Sequence, residues 1–413
     1  MEISKQQGSD PWEYEVVREV LRDEPLPAMI VDLDVLDANV ERIAALPLSR
    51  QKFLRMATKS VRVPDLIVHI LKAGGANFRG AMCFSVPEAE FLAREYDLDD
   101  LLIAYPTVQK SDLAAFSNLT EDGRNVTLMI DSPAHVEILS SFARSVGANR
   151  ALRVAIDLDM SWRPRGMHIG AKRSPVRTIA DFERVLDAVL ACKELRLAGL
   201  MGYEAQVAGL GDANPFAPLQ NGAKRFIKKQ SVADVAAKRG AIAELVSRRG
   251  VNLEFFNGGG TGSLPTTIEE PWLTEVTAGS GFLQSHLFDY FISNHNQPAF
   301  AFALQITRIP EPGMVTCQSG GFIASGETTA DKAPVIFRPQ GLLPTRSEAF
   351  GEVQTPMTVP EGWRDRLGLG DPVLLRPSKA GEIAERFNHY LLKRGSEIVG
   401  RAPTYRGLGR TFY

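Results

Sequence analysis

The sequence predicts an α/β protein: a (β/α)8 TIM-type barrel followed by a β-rich C-terminal domain. Three observations carry this. Eight short apolar runs, at 53–58, 78–84, 101–105, 126–130, 152–157, 197–202, 253–257 and 274–278, are separated mainly by segments of helical periodicity. That alternation is what a parallel barrel requires. A further apolar run at 25–31 is surplus to the eight and is assigned to the sheet of the second domain. After about residue 298 the helical periods largely stop, and short alternating runs at 300–309, 314–319, 353–357 and 373–376 follow with Gly and Pro between them, the texture of a β domain. The expected organisation is a helical arm at 1–24, a barrel domain at 25–297 and the β-rich domain at 298–413.

Taken in order, residues 1–24 are polar, but Trp12, Tyr14, Val17 and Leu21 share one helical face, so they read as an arm laid on the body. Asp34 caps a helix that carries Leu36, Val40 and Ile43 on one side. Helical periods at 85–96, 133–146, 179–193 and 224–249 follow between the strand-like runs. The longest connection, 207–221, is rich in Gly and Pro and is a candidate lid.

Composition narrows the class of partner. At 413 residues, 44% hydrophobic, the chain is too long for one small core, and two domains are expected. A net charge of −2 without a basic block argues against nucleic acid, and no apolar run is long enough for a bilayer. A small molecule remains. Cys83, Cys192 and Cys317 are isolated and lack metal-type spacing, as reduced thiols of a cytoplasmic protein do. The cytoplasm is also the expectation from the first residues, where Glu2, Asp10 and Glu13 stand in place of a basic and apolar leader.

In such a barrel the chemistry sits at the C-terminal ends of the strands. The run from Phe53 ends in Lys59, and a lysine at a barrel mouth is a candidate Schiff-base former, because desolvation and cationic neighbours free its amine. Alone, it reads equally as a solvated surface charge. The stretch Asn257-Gly-Gly-Gly-Thr-Gly-Ser263 follows the seventh barrel strand, and Ala278-Gly-Ser-Gly281 follows the eighth. Glycines let backbone N–H groups converge on an anion and the hydroxyls add donors, which matches a phosphate site; the plain alternative is a flexible turn. Arg163, Arg165 and His168 lie in one loop after the 152–157 strand, suited to a cofactor's oxygens or a substrate carboxylate, or else to salt bridges with Asp157 or Asp159. Tyr203, Glu204 and Gln206 end the next strand with a phenol, a carboxylate and an amide.

The combination resembles the fold-type III pyridoxal phosphate enzymes, which include alanine racemase, D-threonine aldolase and the eukaryotic-type D-serine dehydratase. Within that group it is most similar to the D-threonine aldolase branch, through the run from Ala28, Lys59, Asn257-Gly-Gly-Gly-Thr-Gly, and Thr274-Glu-Val-Thr-Ala-Gly-Ser. The likeness runs from about residue 25 over nearly the whole chain. It implies that Lys59 holds pyridoxal 5'-phosphate covalently, that Gly259, Gly260, Thr261, Gly279 and Ser280 hold its phosphate, and that the first strand joins the C-terminal domain. Arg163 and Gln206 are assigned as further cofactor contacts, and Arg165 and Lys379 as substrate contacts. A homodimer is implied, with tail residues such as Tyr405 or Arg406 reaching across. One departure stands out. The aldolases and dehydratases of this group hold a divalent metal through a His-x-Asp or His-x-Cys pair, whereas the matching positions here are Pro377 and Lys379. Neither is a metal ligand, so a metal is doubtful.

The activity implied is retro-aldol cleavage of a D-β-hydroxy-α-amino acid to glycine and an aldehyde, with Lys59, Tyr203 and His168 as catalytic residues. His168 is the candidate base for the β-hydroxyl, since imidazole titrates near neutrality, with His286 in reserve. Dehydration with deamination, or racemisation, would use the same cofactor, because the bond broken depends on angles rather than residue identity. A non-catalytic pyridoxal phosphate carrier and a barrel that binds a phosphorylated metabolite are the further alternatives. The trailing β domain counts against the carrier.

Overall fold

The computed structural model describes residues 10–412. The chain divides into two compact units: one holds the chain up to Asn39 with Leu283–Leu287 and Asn296–Arg410, the other Val40–Phe282, Phe288–His295 and the residues from Thr411 onward.

The larger unit is a closed parallel barrel. After a first strand outside it, β1 (Ala28–Asp32), the barrel strands are β2 (Phe53–Ala57), β3 (Phe78–Cys83), β4 (Leu101–Ile103), β5 (Val126–Ile130), β6 (Leu152–Asp157), β7 (Leu195–Gly202), β8 (Phe255–Gly258) and β9 (Glu275–Ala278). They pair in chain order and close where β2 meets β9 in parallel, with Met56 opposite Ala278. The fold class is the one expected from the sequence. Its helices start where the chain supplies caps: Ser85 and Ser132 accept from the backbone N–H three residues on, each with a proline in the first turn, and Thr178 with Asp181 forms a capping box. The barrel interior is filled by Leu102, Met129, Ala155, Ala198, Met201 and Phe255. Beside them a buried ion chain runs from Glu275 through Arg55 to Asp100, with Arg55 Nε donating to Glu275 at 2.8 Å and Nη1 to the Asp100 carbonyl at 2.8 Å.

Two differences from the expected elements bear on the site. The third barrel strand stops at Ile103, so Ala104 and Tyr105 belong to the mouth rather than to the wall. The 207–221 connection starts with a helical turn, Ala205–Ala208, and is pinned by reciprocal bonds between Asn214 and Asn221 at 3.0 and 3.2 Å, which argues for a fixed turn.

The second unit is built on a mostly antiparallel sheet of β10 (Phe300–Arg308), β11 (Met314–Gln318), β12 (Val335–Arg338), β13 (Leu343–Pro344), β14 (Gln354–Thr358), β15 (Pro372–Arg376), β16 (His389–Arg394) and β17 (Glu397–Pro403). The early strand β1 lies in this sheet, antiparallel to β10 with Ala28 opposite Ala303 and parallel to β16 with Ile30 opposite Leu391. The N-terminal helix Tyr14–Val20 lies on the same unit. Trp12 and Val17 pack on Ala301, Ala303 and Leu374, and the Trp12 indole donates to the Pro298 carbonyl at 2.8 Å.

Candidate active site

The C-terminal ends of the barrel strands line an open cavity, the place where barrels of this kind bind small molecules. Lys59 enters from the turn Thr58–Ser60 that follows β2. Its Nζ donates to the Tyr105 hydroxyl at 3.0 Å, and the Arg173 guanidinium lies 5.8 Å from the Tyr105 ring centroid. Burial alone would raise the phenol's pKa; the charge and hydrogen bond of Lys59, with Arg173 behind them, overcome it and hold Tyr105 below the ordinary tyrosine value. Tyr203, also in the lining, has no such cation in contact, and burial followed by the Glu204 carboxylate pushes it up to about 12, so it stays a neutral phenol.

Asp157 closes another part of the lining at the end of β6. Burial and the nearby Asp131 carboxylate raise its pKa to about 7 against the pull of Arg173. A carboxyl that changes charge near neutrality in a cavity is suited to proton transfer.

The two glycine stretches come together on β8 and β9. Thr261 Oγ1 accepts from Gly281 N–H at 3.0 Å and from Gly279 N–H at 3.4 Å, which ties one loop to the other. Ser60 and Ser280 share a hydrogen bond at 3.2 Å across the same cradle. Side chains are excluded here by contact: a Cβ on Gly279 would stand 2.8 Å from Ser60 Oγ, and one on Gly260 would stand 3.0 Å from the Ala208 methyl. Gly259 has a φ of +88°, which favours glycine.

Under this cradle is a buried ionic knot. Glu204 accepts from Gly259 N–H at 3.1 Å and from the Ser263 and Thr267 hydroxyls at 2.6 Å each, and it pairs with Arg239 of the helix Asn221–Arg248. Burial would raise the Glu204 pKa, but Arg239 and the two hydroxyls reverse that and hold it below the usual carboxylate value. Arg239 also donates to the Gly202 carbonyl at 3.2 Å and pairs with Glu270. The negative charge beneath the loop is thus already bound, and the hydroxyls of Ser60, Thr261 and Ser280 line the cavity side. Small residues, hydroxyl donors and a neutralised carboxylate fit a phosphate, and Lys59 fits an aldehyde-bearing cofactor in the same cavity.

Of the residues singled out from the sequence, Lys59, Tyr203, Gly259, Gly260, Thr261, Gly279 and Ser280 line this cavity together. Arg163, Arg165, His168 and Gln206 lie outside the lining. The reason is local. Trp162 and Ile169 form an antiparallel bridge around a turn in which Arg165 takes a φ of +49°, so the segment folds out as a small hairpin. Arg163 is spent on Asp159 at 3.0 Å and Ser161 at 3.1 Å. His168 bonds the Gly170 carbonyl at 3.1 Å, and Arg165 is exposed. Gln206 is buried against the Met160 carbonyl at 2.6 Å. In the other unit, Lys379 bonds Ser325 and Glu382 at 2.8–2.9 Å, and His286 bonds the Ala333 carbonyl at 2.9 Å. Tyr105, Asp157 and Arg173 are the cavity residues that the sequence reading did not place. Among the described residues no group of three or more His, Cys, Asp or Glu is arranged to hold a metal ion, and no helix is long and apolar enough to cross a membrane.

A closed barrel with a trailing antiparallel sheet and a lysine facing a glycine cradle is the alanine racemase fold, that of the fold-type III pyridoxal phosphate enzymes. Residues 31–261 match the model of the alanine racemase N-terminal domain, more than half of the chain, and the chain belongs to that family. Among solved structures it is similar to D-threonine aldolase from Filomicrobium marinum, with a TM-score of 0.76 and 22% identity over 94% of this chain and 96% of that one. It is also similar to D-threo-3-hydroxyaspartate dehydratase from Delftia sp. HT23, with a TM-score of 0.69 and 18% identity over 93% and 98%. An alanine racemase-like protein from Idiomarina loihiensis has a TM-score of 0.69 and 16% identity over 93% and 98%. At these identities the likeness is one of fold. No curated protein matches the sequence.

Proposed function

We propose that the chain is a pyridoxal phosphate-dependent lyase that cleaves a D-β-hydroxy-α-amino acid to glycine and an aldehyde. The observation that carries this reading is the hydrogen bond between Lys59 Nζ and the Tyr105 phenol, in a cavity that also contains the glycine and hydroxyl cradle. The D configuration and the aldol outcome rest on likeness to the aldolase branch.

Lys59 would hold the cofactor's carbonyl carbon, and Gly259, Gly260, Thr261, Gly279 and Ser280, with Ser60, its phosphate. Bound there, the cofactor supplies an electron sink for the pair released at Cα. The remaining tasks fall to the chain's own groups. Arg173, an exposed cation in the lining, attracts the substrate carboxylate. Tyr105, its pKa lowered by Lys59 and Arg173, takes the β-hydroxyl proton as the Cα–Cβ bond breaks and the aldehyde departs. Lys59, freed when substrate takes its place, returns a proton to Cα to give glycine. Tyr203, held protonated, acts only as a donor. A homodimer belongs to the same reading.

One observation favours a second reading. Asp157, with a pKa raised to about 7, is a ready general acid for a departing β-hydroxyl, and its use would turn the reaction to β-elimination, with keto acid and ammonia as products. The experiment is an absorbance spectrum of wild type, Lys59→Ala and Tyr105→Phe with added cofactor, before and after borohydride, followed by product analysis with D- and L-threonine and serine. Wild type is expected to show a visible band that borohydride traps on Lys59. Lys59→Ala should lack it, and Tyr105→Phe should keep the band but lose roughly 100-fold or more in kcat. Glycine and aldehyde sustain the lyase; keto acid and ammonia sustain the second reading. A protein that stays colourless with added cofactor overturns both.

A further inference from the structure

A second cavity adjoins the first, and the residues common to the two linings are Lys59 and Tyr105. These are the two residues to which the preceding reading gives the chemistry at Cα and at the β-hydroxyl. A β-hydroxy amino acid held by them has one group left over, the substituent on Cβ. The second cavity is the space that opens on the other side of the same pair.

Its walls are mainly apolar. Phe84, Val86, Pro106 and Phe412 face it, and Phe412 is fixed there by packing on Phe91 at 5.3 Å between ring centroids. Several polar groups of the lining are already bonded within the protein. Ser85 caps the helix Val86–Glu95 by accepting from Glu88 N–H at 3.3 Å. The Thr107 hydroxyl donates to Asp112 at 2.7 Å. Arg62, held at a φ of +57°, donates its Nε to the Lys59 carbonyl at 3.2 Å and lays its guanidinium over the Phe84 ring at 5.2 Å. A wall of two aromatic rings, a proline and a flat guanidinium suits an aryl group, which gains from contact with apolar and π faces and asks for no hydrogen bond.

We infer that this second cavity is the side-chain subsite of the enzyme and that it selects β-hydroxy amino acids with an aromatic or large apolar β-substituent over those with a methyl group. The inference rests on the proposed lyase reading. In the binding step the substrate amino group goes toward Lys59, the β-hydroxyl toward Tyr105, and the β-substituent past them into the space bounded by Phe84 and Phe412. The wall contributed by Phe412 comes from the far end of the chain, so it can be removed without touching the barrel core.

The test compares the cofactor-loaded wild type, Phe412→Ala and Val86→Phe, with D-threonine, D-3-phenylserine and D-3-hydroxyaspartate as substrates. Wild type is expected to prefer phenylserine to threonine by about 10-fold or more in kcat/KM, since each added methylene in an apolar pocket is worth about 10-fold or more in discrimination. Phe412→Ala should lower that ratio several-fold by opening the wall, and Val86→Phe should lower it further by filling the space. Phe412→Ala stands alone as the test if Val86→Phe does not fold. An unchanged ratio in Phe412→Ala overturns the subsite, and so does a preference for hydroxyaspartate that disappears in Arg62→Ala, which would make the cavity a carboxylate site. Should none of the three substrates be cleaved, the lyase reading fails on its own. The subsite is then decided by the spectral titration of the cofactor-loaded protein with D-phenylalanine and D-alanine: tighter binding of D-phenylalanine that is lost in Phe412→Ala sustains it, and equal binding overturns it.

Discussion

Two parts of the barrel mouth carry similar residue types and put them to opposite uses. The loops after β8 and β9 hold their charged groups below the surface: Glu204 and Arg239 are buried as a pair beneath the glycines, and their bonds are spent on Gly259, Ser263, Thr267 and Gly202. The segment after β6 carries its charges outward, with Arg163 exposed on a hairpin and paired with Asp159. A site that must hold a dianion in one place needs backbone fixed from beneath, because loop backbone donates usefully only if it does not move. The hairpin is tied at its base, where Lys238 donates to the Ser161 carbonyl at 2.7 Å and Asp159 and Ser161 line the cavity, while its tip around Arg165 is exposed. What differs is what lies underneath: the arginine at 239 is held by Glu204, Glu270 and the Gly202 carbonyl, and the arginine at 163 rests on a loop.

The sharpest way to break the contrast is to remove the charge under the glycines. Glu204→Gln leaves Arg239 buried with one of its two carboxylate partners neutralised, and breaking a buried pair from one side costs about 3–5 kcal/mol. The expected result is a drop in thermal midpoint together with weakened cofactor retention, measured by absorbance after gel filtration. If the variant melts as wild type does and still retains cofactor, the buried pair is not what fixes the cradle.

Asp157 stands between the two regions, at the end of a strand yet facing the cavity, and its effect is confined to part of the pH range. Its folded pKa of about 7 lies above the ordinary aspartate value of 3.8, so the folded state binds its proton more tightly than the unfolded state does. The sign follows: below about pH 4 the group has no effect, and between about pH 4 and pH 7 the fold loses stability as the pH rises. The loss is complete above pH 7 and is of the order of 4 kcal/mol. Asp157→Asn should therefore melt higher than wild type at pH 8 and show a smaller difference at pH 4. A difference independent of pH would mean that the carboxyl is not buried in this way. In kcat/KM the same substitution should flatten any limb near pH 7.

Much of this was legible in the sequence, and the reasons are physical. Strand ends in a parallel barrel are fixed by the alternation of apolar runs and helices, so Lys59 and the glycine stretches could be placed at the mouth from pattern alone. The run at 25–31 could be set outside the barrel because eight strands follow it; in the structure it pairs with β10 and β16. Tyr105 was within reach of the same rule, since it stands two residues past the end of β4, but the apolar run was read as one strand through residue 105. Arg173 was not within reach. It lies sixteen residues beyond Asp157, after a hairpin closed by the Trp162–Ile169 bridge, and no periodicity carries through such a loop. The edge strands β12, β13 and β17 escaped for a related reason, since mixed burial leaves little alternation to read, and β16 beside β17 was missed with them.

The smallest effect expected is also the one that decides what the second arginine loop is for. Arg163 and Arg173 lie on the same segment, but only Arg173 lines the cavity, and only Arg173 lies over Tyr105. Arg163→Ala removes a partly exposed pair with Asp159, an interaction worth about 0–1 kcal/mol, so kcat/KM should change by less than about fivefold. Arg173→Ala should cost clearly more than that and should also shift the alkaline limb of the pH profile upward, because the phenol of Tyr105 loses one of the two cations that lower its pKa. The pH shift separates the two roles, since a purely structural defect lowers the rate without moving the limb. A larger loss in Arg163→Ala than in Arg173→Ala would mean that the hairpin folds inward when substrate binds, and that Arg163 rather than Arg173 is what meets the substrate carboxylate.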